Sequence, residues 1–169
     1  MIYGVLSYLF VNGKVLMVKK AKKGKDPNSG FYTLPGGKLE DGERGLNPIG
    51  RLESAIRESK QETGLTPINL KLRGIILFDN DGRVFEDWPN ALDYLVYIFS
   101  SNEYSGELIR EGDSGEIPAW VDEKDVGSLP KNPGDIKMYE WLKNPDMFFG
   151  VIKHKGKILD EENTFVDYF

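Results

Sequence analysis

Between Gly36 and Leu65 the chain passes from a glycine turn into a helix that carries two glutamates one turn apart. The block opens Gly36-Gly37-Lys38-Leu39-Glu40-Asp41-Gly42-Glu43 and closes Arg57-Glu58-Ser59-Lys60-Gln61-Glu62-Thr63-Gly64-Leu65. Residues at i, i+3 and i+4 share a helix face, so the spacing predicts that Glu58, Gln61 and Glu62 point together. Two carboxylates on one face repel and add nothing to the helix itself. A hard divalent cation removes that repulsion, taking a few carboxylate oxygens and filling its shell with water and phosphate. The plainer alternative is a surface helix with solvated charges, ended by Gly64 as its C′ residue.

The surrounding pattern supplies a frame for that helix. Residues 2–10 are rich in β-formers, Asn12-Gly13 is a hairpin turn, and residues 15–18 are the return strand. Residues 19–29 form a polar loop with Lys19, Lys20, Lys22, Lys23 and Lys25, followed by a short strand at 31–34. Residues 44–50, with Gly45, Asn47, Pro48 and Gly50, read as a loop. The helix is predicted over 51–63, burying Leu52, Ala55, Ile56 and Ser59. Strands follow at 70–78 and 92–100 around an Asp81-Gly82 turn, and at 117–121. A second helix spans 135–143, and 148 onward reads as a terminal hairpin turning at 155–157. Strands interleaved with two helices imply a mixed sheet between helices, an α/β sandwich. The 169 residues fit one domain, 1–169.

Composition narrows the classes. A net charge of −5 argues against a general nucleic-acid binder. The absence of cysteine removes disulfides, thiolate zinc sites and cysteine nucleophiles together. With no basic leader and no apolar run of membrane length, the expected location is cytoplasmic.

The helical block resembles the Nudix box in the type and order of Gly37, Glu43, Arg57, Glu58, Glu62, Gly64 and Leu65. Thirteen residues separate Glu43 from Arg57 where the family has seven, Ser59 takes an apolar position, and Gln61 replaces a glutamate. The resemblance implies the Nudix α/β/α sandwich and a Mg²⁺ cofactor, for which Mn²⁺ substitutes. It implies metal contacts from Glu62, Glu58 and the Gly37 carbonyl, with Glu58 as ligand or general base. Glu43 would help arrange the box, and Arg57 would hold the loop glutamates by a charged fork.

Other segments extend the resemblance. Residues 111–121 are similar to a loop and strand of MutT-type relatives, in which an acidic residue reaches the metal or the catalytic water. Glu116 would be that residue, or else part of a solvated acidic loop. Leu129-Pro130, Pro133-Gly134-Asp135 and Phe149-Gly150-Val151-Ile152 resemble oxidised-purine triphosphatases, without the tryptophan expected near Leu129. Asp135 would read the base edge, or it is the N-cap of the second helix. Tyr32 is the candidate for base stacking, with Trp120 and Trp141 read as core. Lys23 and Lys38 are the candidate phosphate contacts. His154, in the predicted hairpin turn, is given a surface role.

The implied reaction is a Mg²⁺-dependent pyrophosphohydrolysis of nucleoside triphosphates to monophosphate and pyrophosphate. Oxidised purine nucleotides such as 8-oxo-dGTP are the favoured substrates. Hydrolysis of another diphosphate derivative (ADP-ribose, a dinucleoside polyphosphate) and a non-catalytic nucleotide-binding module stay open. The expected partner is a small nucleotide, with no nucleic-acid polymer and no membrane. The superfamily's isomerase branch uses a cysteine, which this chain lacks.

Overall fold

The computed structural model describes residues 1–21, 28–43, 48–80 and 92–169. Strands β1 (Ile2–Val11) and β2 (Lys14–Lys19) form the opening hairpin. Its turn holds Asn12 at φ 52° and Gly13 at φ 75°, a left-handed pair that asparagine and glycine tolerate. Then come β3 (Tyr32–Thr33), β4 (Gly36–Lys38), a 3₁₀ turn at Asp41–Glu43, and α1 (Pro48–Thr63). The middle of the chain gives β5 (Leu65–Ile68), β6 (Lys71–Asp79), β7 (Tyr94–Ser101), β8 (Glu103–Gly106) and β9 (Ile117–Asp122). Last are α2 (Glu123–Val126), α3 (Pro133–Leu142), β10 (Phe148–Lys155), β11 (Ile158–Leu159) and β12 (Phe165–Tyr168).

The main sheet runs β11-β10-β6-β7-β1-β2-β3. It is mixed: β1 pairs with β7 in parallel, and β10 with β6 in parallel, whereas β6 and β7 are antiparallel. Strand β4 lies antiparallel to β1, opposing Val5 to Gly37, and β9 lies on β2, opposing Leu16 to Trp120. Side chains alternate across the sheet, and the two faces bury different partners. Val96, Ile98, Phe148 and Ile152 pack with Met138, Trp141 and Leu142 of α3. Val5 and Phe99 pack with Ala55 of α1 and with Leu39. The sheet therefore separates α1 from α3, the α/β/α sandwich expected. A fully buried Phe148 or Ile152 stabilises the fold by about 1.5–3 kcal/mol each.

Several boundaries differ from expectation. Helix α1 starts at Pro48 instead of 51, because proline's fixed φ suits the first helical position. Residues 48–50 thus belong to the helix, and 44–47 lie outside the described residues, as does the Asp81-Gly82 turn. Along α1, Ser54, Ala55, Ser59, Glu62 and Thr63 are buried while Ile56 is only half-buried. Ser7 Oγ donates to the Ala55 carbonyl at 3.3 Å, tying the helix to β1. Helix α3 begins at Pro133 with Asn132 in the N-cap position. Asp135 is therefore not the cap but sits inside the first turn. The short strands β4, β5, β8, β11 and β12 have too few residues to show a period-two signal.

Candidate active site

The acidic group of the site is built where α1 passes behind β4. Glu62 is 6 % exposed. Its Oε2 accepts the Gly36 backbone N–H at 3.0 Å, and its Oε1 accepts from Lys20 Nζ at 2.7 Å. Burial raises the Glu62 pKa above the usual carboxylate value; Lys20 and the Gly36 N–H pull it back, and Glu116 adds to the rise. Glu116 is 7 % exposed. Its Oε2 accepts the Ser114 N–H at 3.1 Å, so this residue is not part of a solvated loop. The Glu58 carboxylate lies against Gly37, where an added Cβ would come within 2.6 Å of Glu58 Oε2. Only glycine leaves room for it.

The expected fork is present. Arg57 Nη1 donates to Glu58 Oε1 at 2.7 Å, and Nη2 donates to Glu43 Oε1 and Oε2 at 3.1 and 3.2 Å. Burial pushes Glu43 up, but the Glu40 N–H and the Arg57 guanidinium outweigh it and hold the carboxyl below its usual range. Gln61 departs from the predicted shared face. It is exposed, and its Oε1 accepts from Arg57 Nη1 at 3.4 Å. Neighbouring helical positions are turned by about 100°, so Glu62 goes inward and Gln61 outward.

These oxygens fit a hard cation in chemistry. Among the described residues no three acidic or histidine side chains converge on one point. Two buried carboxylates nonetheless repel one another here, and a positive group, the Lys20 ammonium, already stands on one of them.

A cleft of about 670 Å³ runs from Gly36, Gly37, Lys20, Lys38 and Glu116 to Asn80, Asp135 and His154. Lys38 borders it, whereas Lys23 lies outside the described residues. Tyr32 does not line it. Its neighbours Phe31 and Thr33 do, and Tyr32 packs with the α3-side core under Lys19 Nζ, 5.8 Å from the ring centre. Strand alternation is the reason. Trp141 is buried in the core, and Trp120 packs on Leu9, Leu16 and Leu65, both as expected.

The second wall of the cleft was mostly missed. His154 is not in a surface turn; it lies on β10 and is 5 % exposed. Its Nδ1 is 3.1 Å from Asn80 Oδ1. Asn80 Nδ2 donates to the Leu92 carbonyl at 2.8 Å, which fixes the amide, so Nδ1 carries the proton and donates. The Asn80 N–H donates to Asp93 Oδ1 at 2.9 Å. Burial lowers the His154 pKa, leaving the ring neutral at pH 7. Gly134 of α3 packs on it; a Cβ there would stand 2.8 Å from Cε1. Half-buried Asp135 faces the cleft, and burial pushes its carboxyl up to about 7 against the opposing pull of Lys131. The signal for His154 was the inward alternation Phe148, Gly150, Ile152, His154.

A family model for the NUDIX domain matches residues 3–142. The chain belongs to the Nudix family. It is 32 % identical over 135 residues to the uncharacterized Nudix hydrolase YvcI of Bacillus subtilis, covering 79 % of this chain and 74 % of that one. The fold matches the MutT protein of Bacillus halodurans with a TM-score of 0.76 at 22 % identity, over 99 % of this chain and 98 % of that one. It also matches the NUDIX domain of Shewanella oneidensis NrtR, solved with ADP ribose, with a TM-score of 0.64 at 16 % identity, over 85 % and 86 % of the two chains. As a Nudix hydrolase the chain acts on pyrophosphate bonds of nucleoside diphosphate derivatives, and the family generally needs a divalent metal. Among the described residues no helix is long and apolar enough to cross a membrane.

Proposed function

We infer that this chain is a Mg²⁺-dependent pyrophosphohydrolase of nucleoside triphosphates, working as one cytoplasmic domain and releasing a monophosphate and pyrophosphate. The observation that carries the reading is the buried, mutually repelling pair Glu62 and Glu116, of which Glu116 lines a cleft that Asp135 also lines. When bound, Mg²⁺ would neutralise phosphate oxygens and acidify a water. Glu62, Glu58, Glu116 and the Gly37 carbonyl would hold it. Glu58, its carboxylate steadied by Arg57, would serve as ligand or general base. Lys38 would meet a phosphate oxygen. Asp135, with a carboxyl that is half protonated near neutrality, would donate to or accept from a purine edge. The resemblance of residues 129–135 and 149–152 to oxidised-purine triphosphatases is the reason to favour an oxidised purine such as 8-oxo-dGTP.

A second reading has its own support. Asn28, Asn80, Asn132 and His154 give the cleft a polar lining, which suits the hydroxyls of a linked sugar. An ADP-ribose-like diphosphate is therefore the alternative substrate. A panel of 8-oxo-dGTP, dGTP, ADP-ribose and diadenosine tetraphosphate with Mg²⁺ decides between them. Fastest turnover of 8-oxo-dGTP with pyrophosphate release is expected. Release of AMP and ribose phosphate as the dominant reaction would move the assignment to linked diphosphates, and binding without turnover would reduce the chain to a nucleotide-binding module.

A further inference from the structure

Two consecutive lysines at the end of β2 diverge. Lys19 turns to the Tyr32 ring, while Lys20 turns into the cleft and ends on Glu62. The Lys20–Glu62 pair is close, 2.7 Å, and shielded, with side-chain exposures of 24 % and 8 %. Lys20 is fixed at its backbone: its N–H donates to the Phe31 carbonyl at 2.9 Å, and its carbonyl accepts from Gly30 at 3.0 Å. Only the four-carbon stem is left to move, and an ammonium re-aims its three donors freely. The carboxylate it occupies is the one assigned above to the metal.

We propose that Lys20 is the built-in counter-ion of Glu62, and that it transfers to a substrate phosphate oxygen when a divalent cation takes that carboxylate. The inference rests on the proposed metal-dependent reading. A cation reaching Glu62 meets a like charge at contact distance, so the ammonium has to leave. Glu116 cannot hold both, because it is the other carboxylate assigned to the cation. The phosphate of a bound nucleotide is the anion that the same cleft provides. Lys20 thus weakens the binding of the cation alone and strengthens the binding of cation and phosphate together. Such coupling is reciprocal and typically amounts to ~5–150-fold in affinity.

The test is calorimetry on the full chain with Lys20→Met and Lys20→Arg. Without nucleotide, Lys20→Met should bind Mg²⁺ ~10-fold more tightly than the parent; at saturating Mg²⁺ it should bind pyrophosphate ~10-fold more weakly. Lys20→Arg keeps the charge and should stay near the parent in both. If Lys20→Met melts too low to titrate, Lys20→Gln carries the same expectations. Opposite signs are the signature that a merely structural lysine would not give. Weaker or unchanged Mg²⁺ binding in Lys20→Met overturns the proposal, and so does unchanged pyrophosphate binding. If neither parent nor variant binds Mg²⁺, the metal assignment itself falls, and the proposal with it.

Discussion

The acidic group beside the cleft and the cleft's polar wall are built by opposite strategies. The acidic group, which meets the cleft at Gly37, draws Arg57, Glu58 and Glu62 from one helix, and Glu43 and Gly37 from the turn that leads to it. The polar wall draws Asn80 from the end of β6, Asp135 from α3 and His154 from β10. In the first, helical spacing sets Arg57, Glu58 and Glu62, and the turn just before the helix supplies the rest. In the second, nothing is near anything else until the sheet has formed. Their charge states differ in kind as well. The first wall offsets its carboxylates with Arg57 and Lys20. The second holds its groups near neutrality: a histidine pushed down and an aspartate pushed up, both by burial.

If the walls divide labour, the acidic one should govern rate and the polar one binding. Glu62→Gln should lower kcat at least ~100-fold, the scale of a lost transition-state charge contact, with little change in melting temperature. Turnover near the parent's would remove Glu62 from the metal. Gly37→Ala should cost ~10–100-fold in kcat, because its methyl displaces the Glu58 carboxylate that it would meet at 2.6 Å. His154→Phe should instead raise KM ~10-fold and leave kcat within ~2-fold, the pattern of lost ground-state binding. A fall in kcat alone would erase the division between walls.

Smaller effects sharpen the contrast. The folded Asp135 carboxyl titrates near 7, above its ordinary unfolded value. The folded state thus holds the extra proton in between, and stability falls as pH rises from the unfolded value through about 7. Asp135→Asn removes this dependence, so its melting temperature should gain on the parent's between pH 5 and pH 8. A constant difference would place the titration elsewhere. Gln61→Glu should do least. Its side chain is exposed and bonded by Arg57, so the Mg²⁺ midpoint of turnover should not move. A tighter midpoint would show that position 61 reaches the metal after all.

The same contrast explains what the sequence disclosed. Glu58 and Glu62 were legible because a fixed 3.6-residue period carries them, and the glycine turn before them marks where the helix must pass. Gln61 was misjudged because one residue on a helix is enough to leave a narrow inward face. Tyr32 was misjudged for the equivalent reason on a strand, where its neighbours Phe31 and Thr33 hold the inward positions. Asn80 and His154 were hidden. The alternation that turns them inward is visible in β6 and β10, but their meeting depends on the parallel pairing of those strands, which no local pattern encodes. The beginning of α1 was lost to a composition rule: Gly and Pro read as loop, though proline also opens helices.

Parallel pairing also gives the molecule a timetable. Ile2 has to find Tyr94, and Phe148 has to find Gly74. Each closure spends chain entropy before any contact repays it, so this sheet should condense slowly compared with a helical bundle of equal length. Helix α1 and its glycine turn are close in sequence and need no such search. Pulse-labelled hydrogen exchange during refolding should protect the amides of α1 before those of β10. A chain caught between these events would own its carboxylates without yet being able to grip what they act on.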